Sequence, residues 1–203
     1  MKIKVCGLKY PENMRAVVAL KPDYIGMICY GKSPRYIDEA TIAAAKNICG
    51  LKKTGVFVNE TAEKINELVE TLGLSAVQLH GDEGPEFCRQ FKGDVVVIKA
   101  FGVDEEFDFT QLEAYRDSID LFLFDTKTKI YGGSGLTFNW ALLDQYTLDV
   151  PFFVSGGISP DNLEEVLSIK HPQFYGVDLN SKFEIGPGLK DIQKLKQAFN
   201  TIK

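Results

Sequence analysis

One pattern recurs eight times along this chain: a short apolar run ends in a polar or glycine-rich turn and is followed by a helical pattern. Such apolar runs are typical of strands buried on both faces, as in a parallel sheet. The runs end near positions 6, 29, 58, 79, 100, 125, 155 and 178, so successive units are 21 to 30 residues long, about what a strand, two short loops and a helix need. We therefore predict an α/β protein in which residues 1–203 form a single (β/α)₈ barrel. A doubly wound open sheet is the alternative, but it does not require eight units.

The predicted strands are Lys2–Cys6, Tyr24–Cys29, Thr54–Val58, Ala76–Leu79, Val95–Ala100, Leu121–Asp125, Phe152–Ser155 and Phe174–Asp178. The predicted helices are Glu12–Leu20, Asp38–Ile48, Ala62–Leu72, one that begins at Pro85, a short one between Phe109 and Tyr115, one that starts near Phe138, one after Ser159, and Asp191 to about Phe199. Thr61 and Ser159 are predicted to be N-caps. The segment Gly102–Asp120 carries the weakest pattern.

The composition is that of a soluble globular domain, with 45% apolar and 25% charged residues. A net charge of −5 without a cluster of Lys and Arg argues against nucleic acid or an anionic membrane as a partner. The N-terminus lacks the apolar core of a signal peptide, and no apolar run approaches membrane-spanning length. We expect a cytoplasmic protein.

The cysteines offer little material for a metal site. None of the four stands in a C-x-x-C pair, and the chain has only two histidines, His80 and His171. We therefore expect no metal. Scattered, reduced cysteines are mostly small core residues. The four are Cys6, Cys29, Cys49 and Cys88.

The sixth predicted strand ends in a way that suggests chemistry. Four large apolar residues, Leu121–Phe124, run directly into Asp125, and a carboxylate is rarely buried there without a purpose. After Thr126–Thr128 comes the glycine-rich turn Gly132–Gly135, whose backbone could approach a ligand closely. The alternative is that Asp125 caps the turn that follows it.

The carboxyl ends of barrel strands form the active-site face, so the residues that follow each strand are candidates for function. These candidates are Cys6, Arg35, His80, Asp125, Gly156, Gly157, Asp178, Asn180 and Ser181. Gly156-Gly157 and Asn180-Ser181 can aim backbone N–H groups at an anion, and barrels often hold phosphate after strands seven and eight. We predict a phosphorylated small molecule as the ligand.

We place Cys6 and Asp125 across the ring from this phosphate site, as a general base and a general acid. Their ordinary pKa values are about 8.5 and about 3.9, so each would have to shift toward neutrality. The alternative for Cys6 is a buried strand residue. His80 is either catalytic or hydrogen-bonded to a loop, and Arg35 either binds a substrate carboxylate through its fork or is a solvated loop residue.

Eight segments spread over nearly the whole chain carry a resemblance to a known family: Lys4–Leu8, Lys32–Tyr36, Gly55–Asn59, Val77–Gly81, Asp125–Thr128, Tyr131–Gly135, Ser155–Gly157 and Pro187–Asp191. In this order they resemble the corresponding segments of phosphoribosylanthranilate isomerase, the (β/α)₈ enzyme of tryptophan biosynthesis. The resemblance implies Cys6 as base, Asp125 as acid, Arg35 as the anthranilate-carboxylate residue, and phosphate loops at Gly156-Gly157 and after Asp178. One departure stands after strand eight, where Lys182 replaces the glycine usual in the family and brings a cation near the phosphate.

The reaction that the resemblance implies is an Amadori rearrangement of N-(5-phosphoribosyl)anthranilate. The substrate's own aryl amine is the electron sink, so neither pyridoxal cofactor nor metal is implied. One alternative is a histidine-pathway phosphoribosyl-sugar isomerase, although that enzyme uses two aspartates and Cys6 argues against it. Another is a catalytically silent phosphate-binding barrel, which would need neither Cys6 nor Asp125. We expect a monomer rather than a homodimer.

Overall fold

The computed structural model describes residues 1–127 and 137–203. Within these ranges, eight parallel strands close into a barrel, each paired with the next along the chain and the eighth with the first. The strands are β1 (Lys2–Val5), β2 (Tyr24–Ile28), β3 (Lys52–Phe57), β4 (Ala76–Leu79), β5 (Val96–Val103), β6 (Leu121–Thr126), β7 (Phe152–Val154) and β8 (Phe174–Leu179). The predicted (β/α)₈ barrel is therefore confirmed.

Helices connect the strands, and a small hairpin follows β8. The α-helices are α1 (Pro11–Val18), α2 (Glu39–Lys46), α3 (Ala62–Leu72), α4 (Pro85–Arg89), α5 (Leu163–Leu167) and α6 (Ile192–Ile202). Three further segments are 3₁₀ helices: Phe109–Tyr115, Trp140–Gln145 and Ser181–Phe183. The hairpin strands are β9 (Glu184–Gly186) and β10 (Leu189–Lys190).

The ends of α3 and α4 follow local chemistry that the sequence predicts. Thr61 Oγ1 accepts a hydrogen bond from the Lys64 N–H and so caps α3, as predicted. Gly73 ends that helix in the left-handed conformation, with φ 59°, where a side chain would be strained. Pro85 is the first residue of α4, as predicted, at a position whose N–H would have no helical partner.

Two helix predictions need correction. Ser159 is not an N-cap: α5 begins at Leu163, because the Asn162 side chain accepts from the Ser159 N–H and donates to the Gly157 carbonyl, which closes this stretch as a turn. The helix expected near Phe138 is a 3₁₀ helix over Trp140–Gln145. The Asn139 side chain accepts from the N–H only two residues further on, and this tight bond begins a narrow turn.

Alternation along the strands decides which side chains enter the barrel. Leu121 and Leu123 of β6 pack inside the barrel, whereas Phe122 and Phe124 pack against the helices. The same period of two places Asp125 on the inner face. The barrel floor below the site is the apolar cluster of Tyr24, Ala76, Ile98, Ala100, Leu121, Leu123 and Phe153.

In residues 1–127 and 137–203, no helix has the length and apolar character needed to cross a membrane.

Candidate active site

Alternation brings four of the predicted site residues to the inner face at the carboxyl rim. Ile3 and Val5 pack outward, so Cys6 points inward; likewise Val177 and Leu179 pack outward, which leaves Asp178 inside. By the same rule His80 and Asp125 follow the inner positions of β4 and β6. The inner rim therefore holds a thiol, an imidazole and two carboxyl groups.

The ring order corrects one prediction. Strands β6, β7, β8 and β1 are consecutive around the barrel, so Asp125 and Cys6 flank the loops after β7 and β8 instead of lying across from them. A Cβ atom at Gly156 would lie 2.7 Å from Asp125 Oδ1, which shows how closely the β7 loop approaches that carboxyl group. The prediction was wrong because closure of the barrel, which the predicted fold already implies, brings β8 back beside β1.

Asp125 contacts both its own loop and His80. Its Oδ1 accepts from the Thr126 N–H at 2.8 Å, so it does cap the following turn, and its Oδ2 lies 3.5 Å from His80 Nε2. Gln78, an inner residue of β4, places its amide Nε2 2.8 Å from His80 Nδ1. The Oε1 atom of Gln78 is buried and has no hydrogen-bond partner among the described residues. Gln78, His80 and Asp125 thus form one chain of contacts that reaches from inside the barrel to the rim.

Cys6 is buried, with 3% of its surface exposed, and lies beside a buried ion pair. The Nζ atom of Lys4 is 2.7 Å from Asp178 Oδ2, and these side chains are 0% and 4% exposed. Burial raises the pKa of Cys6, with Lys4 and Lys190 opposing the shift. This direction is opposite to the shift that a general base at this position would require, because the barrel encloses the thiol.

Burial also raises the pKa of Asp178, although Lys4 opposes the shift. Burial alone would lower the pKa of Lys4, but attraction to Asp178 outweighs it and the net shift is upward. Lys4 therefore keeps its positive charge at neutral pH despite its position inside the barrel.

Arg35 is held by an ion pair and is not a solvated loop residue. Its Nη2 donates to Glu184 Oε2 at 2.8 Å and its Nε donates to both carboxylate oxygens at 3.0 Å. The two side chains are 11% and 4% exposed. Within the described residues the Nη1 group makes no hydrogen bond, so one edge of the guanidinium stays available to a ligand.

Lys190 completes this cluster. Its Nζ donates to Glu184 Oε1 and to Asn180 Oδ1, each at 2.8 Å. Burial alone would raise the pKa of Glu184, but Arg35 and Lys190 hold it below its ordinary value. The cluster links the loop after β2 to the hairpin after β8, and it fixes the Asn180 side chain beside the rim.

The predicted phosphate loops carry free backbone donors. Gly156 and Gly157 have φ values of 82° and 63°, a conformation that favours glycine. In the part of the chain that the structure describes, the N–H groups of Gly156, Gly157 and Ser181 donate no hydrogen bond. Successive unpaired N–H groups of this kind form a concave site for an anion. Lys182 is exposed.

Two predicted elements lie outside the described residues: Thr128 and the glycine-rich turn Gly132–Gly135. Within the described ranges, no group of three or more His, Cys, Asp or Glu side chains is placed to hold a metal ion.

The structure adds four residues to the site that were not predicted as site residues: Lys4, Gln78, Glu184 and Lys190. Lys4 and Gln78 stand at inner positions of short strands, so strict alternation could have singled them out as polar groups inside the barrel. Glu184 and Lys190 lie far from Arg35 along the chain, and spacing gives no sign of their contact.

The comparison with known proteins points to one family. A family model described as N-(5'phosphoribosyl)anthranilate (PRA) isomerase matches residues 3–201. The N-(5'-phosphoribosyl)anthranilate isomerase of Parabacteroides distasonis is 45% identical over 206 residues, covering 100% of this chain and 93% of that protein.

Solved structures of the same family share the fold. The phosphoribosyl anthranilate isomerase from Thermotoga maritima superimposes with a TM-score of 0.87 at 36% identity, covering 100% of this chain and 98% of that one. A phosphoribosyl anthranilate isomerase in complex with reduced 1-(o-carboxyphenylamino)-1-deoxyribulose 5-phosphate has a TM-score of 0.84 at 32% identity, with 100% and 98% covered.

Proposed function

Because the chain belongs to the N-(5'-phosphoribosyl)anthranilate isomerase family of tryptophan biosynthesis, we propose that it performs this isomerisation with Cys6 as general base and Asp125 as general acid. The observation that carries the proposal is the placement of both side chains on the inner rim, on either side of two loops with free N–H groups. In this proposal the whole chain is one catalytic barrel domain.

The first step is opening of the ribose ring. Asp125 donates its proton to the furanose ring oxygen, and the bond from that oxygen to C1 breaks as the anthranilate nitrogen forms an iminium. Asp125 is left as a carboxylate, which can accept a hydrogen bond from His80 Nε2, 3.5 Å away. The positive iminium makes the proton on C2 acidic.

The second step is removal of that proton by Cys6. As a thiolate, Cys6 takes the C2 proton, and the electron pair of the C–H bond forms an enolamine that tautomerises to the aminoketone. Burial raises the pKa of the free thiol, so the enzyme must supply positive charge near the sulfur when the base is needed. The sources of positive charge in the site are the substrate iminium and the cationic side chains of Lys4 and Lys190.

The remaining candidates position the substrate. Arg35, held by Glu184, offers its free Nη1 edge to the anthranilate carboxylate, and a rigidly held guanidinium suits that planar group. The N–H groups of Gly156, Gly157 and Ser181 bind the phosphate together with Asn180. His80 and Asp178 line the ribose between them.

Steady-state fluorescence with phosphoribosylanthranilate tests the activity, because consumption of this substrate removes anthranilate-type emission. We expect turnover by the wild type and severe loss in Cys6→Ser, since a hydroxyl ionises far less readily than a thiol. Cys49→Ser is the matched control, because that cysteine is exposed. No turnover by folded wild type would contradict the activity. An active Cys6→Ser variant would contradict only the assignment of the base. The monomeric state and the cytoplasmic location stay predictions.

A further inference from the structure

Two buried lysine–carboxylate pairs in this protein differ in how completely their charges are satisfied. Lys99 pairs with Glu83 at 3.0 Å, and its Nζ also donates to the carbonyl oxygens of Leu79, Gly81 and Ala100. Glu83 in turn accepts from two backbone N–H groups. Lys99 shares the outward face of β5 with Val97, which packs against the helices. The charged groups of Lys99 and Glu83 thus both have backbone hydrogen-bond partners in addition to each other, and these bonds link neighbouring loops.

The pair formed by Lys4 and Asp178 is different. Besides its hydrogen bond to Asp178 Oδ2, Lys4 Nζ interacts with the Cys6 thiol, so this ammonium group has fewer acceptors among the described residues than that of Lys99. Asp178 Oδ1 is buried and has no hydrogen-bond partner among the described residues. Removing two charges from water costs more than their attraction returns unless further hydrogen bonds satisfy them. Stability alone therefore does not explain this pair.

The position of Lys4 suggests a role for its positive charge. Lys4 and Cys6 are two residues apart on β1, so their side chains lie on the same inner face. Asp178 stands beside Lys4 in the register of β1 and β8. The charged groups that act on the Cys6 sulfur are Lys4 from β1, Asp178 from β8 and Lys190 from the hairpin, and Cys29 follows β2 nearby.

We propose that Lys4 is a positioning residue for the general base: its ammonium group, held at the barrel centre by Asp178, stabilises the thiolate of Cys6. This inference deepens the proposed function, on which it rests for the role of Cys6. The charge effect itself is a property of the free protein and needs no substrate. This role accounts for the incompletely bonded ion pair of Lys4 and Asp178, which lies directly below Cys6.

The test is the pH dependence of Cys6 alkylation by iodoacetamide without substrate, followed on the Cys6 peptide by mass spectrometry. Lys4→Gln keeps a hydrogen-bond donor for Asp178 but removes the charge, and we expect its alkylation at pH 8 to be at least about 10-fold slower, since a charge at this range shifts a pKa by about one unit or more. Lys4→Arg keeps the charge, so the rate of Cys6 alkylation at pH 8 in this variant should stay within about threefold of the wild-type rate. Lys99→Gln, in the other buried pair, is the matched control and should leave the pH midpoint of Cys6 unchanged.

A pH midpoint in Lys4→Gln equal to that of wild type would overturn the proposal, as would equal shifts in Lys4→Gln and Lys99→Gln. If Lys4→Gln does not fold, the double variant Lys4→Met/Asp178→Asn replaces it, because it buries no unpaired charge. Its alkylation at pH 8 should be about threefold slower than wild type, and an unchanged rate would again overturn the proposal. If the wild type has no isomerase activity, the alkylation of Cys6 can still be measured. The proposed function and the proposed role of Lys4 can therefore be contradicted independently of each other.

Discussion

The Nε2 atom of His80 lies 3.5 Å from Oδ2 of Asp125, so the imidazole faces the carboxyl group that we propose as the acid. The amide nitrogen of Gln78 lies 2.8 Å from the other ring nitrogen, and an amide N–H donates there when the ring carries its proton on Nε2. A donor in that place stabilises the carboxylate that remains once Asp125 has given up its proton. In the proposed reaction, His80 would therefore act through Asp125 as well as by lining the substrate site.

Asp125→Asn should nearly abolish turnover, because an amide cannot protonate the ring oxygen. We expect kcat to fall by about 10²- to 10⁴-fold, the usual contribution of a general acid. The fold should persist, because the Asn side-chain oxygen can still accept from the Thr126 N–H. Asp149→Asn, which changes an exposed aspartate paired with Arg116, is the control. A folded Asp125→Asn enzyme that retains more than about a tenth of wild-type kcat would mean that the acid is another group.

Gln78→Met should reduce kcat while leaving the protein stable. Methionine fills a similar volume but donates nothing to His80, so the ring is no longer held with its proton toward Asp125. One hydrogen bond of about 1 kcal/mol corresponds to a loss of about fivefold in kcat. Thr54→Val is the control, since Thr54 Oγ1 is buried and has no hydrogen-bond partner among the described residues, His80 included. If both variants lose the same activity, the effect belongs to barrel packing and not to His80.

The sequence predicts the barrel and the rim residues because both depend on local order. Apolar runs predict the strands, and the residues that follow each strand are the candidate site residues. The contacts that tune these candidates join distant parts of the chain: Lys4 meets Asp178 across 174 positions, and Arg35 meets Glu184 across 149. No local period encodes such pairs. The sequence offers burial of Cys6 only as an alternative to catalysis. The neighbourhood of Cys6 and Asp125 with the predicted phosphate loops follows from closure of the barrel and not from any local pattern.

Glu184→Gln should lower the free energy of unfolding more at neutral pH than at acidic pH. Arg35 and Lys190 hold the pKa of Glu184 below its ordinary value of about 4.3, so the ionised carboxylate stabilises the fold above that pH. The stabilisation disappears as the pH falls through the lowered pKa of the folded state. Chemical denaturation from pH 3 to 7 should therefore show a difference in unfolding free energy that is largest near pH 7 and shrinks toward pH 3. Glu67→Gln, in an exposed pair with Lys64, is the control. A difference that does not depend on pH would contradict the ionic role of Glu184.

Lys182 follows β8 at the position where the resemblance leads us to expect a glycine, and its contribution to phosphate binding should be small. The side chain is exposed and forms no ion pair with the described residues, whereas the neighbouring N–H of Ser181 is free to bind an anion. An exposed charge contact contributes about 0–1 kcal/mol, so Lys182→Ala should raise KM by at most about fivefold at low salt and leave kcat unchanged. The increase should vanish at high ionic strength, because salt screens exposed charges. Lys196→Ala, an exposed lysine on α6, controls for the loss of one positive charge from the surface. A rise in KM of tenfold or more that persists in high salt would show that the lysine contacts the phosphate directly, in a site that excludes bulk solvent.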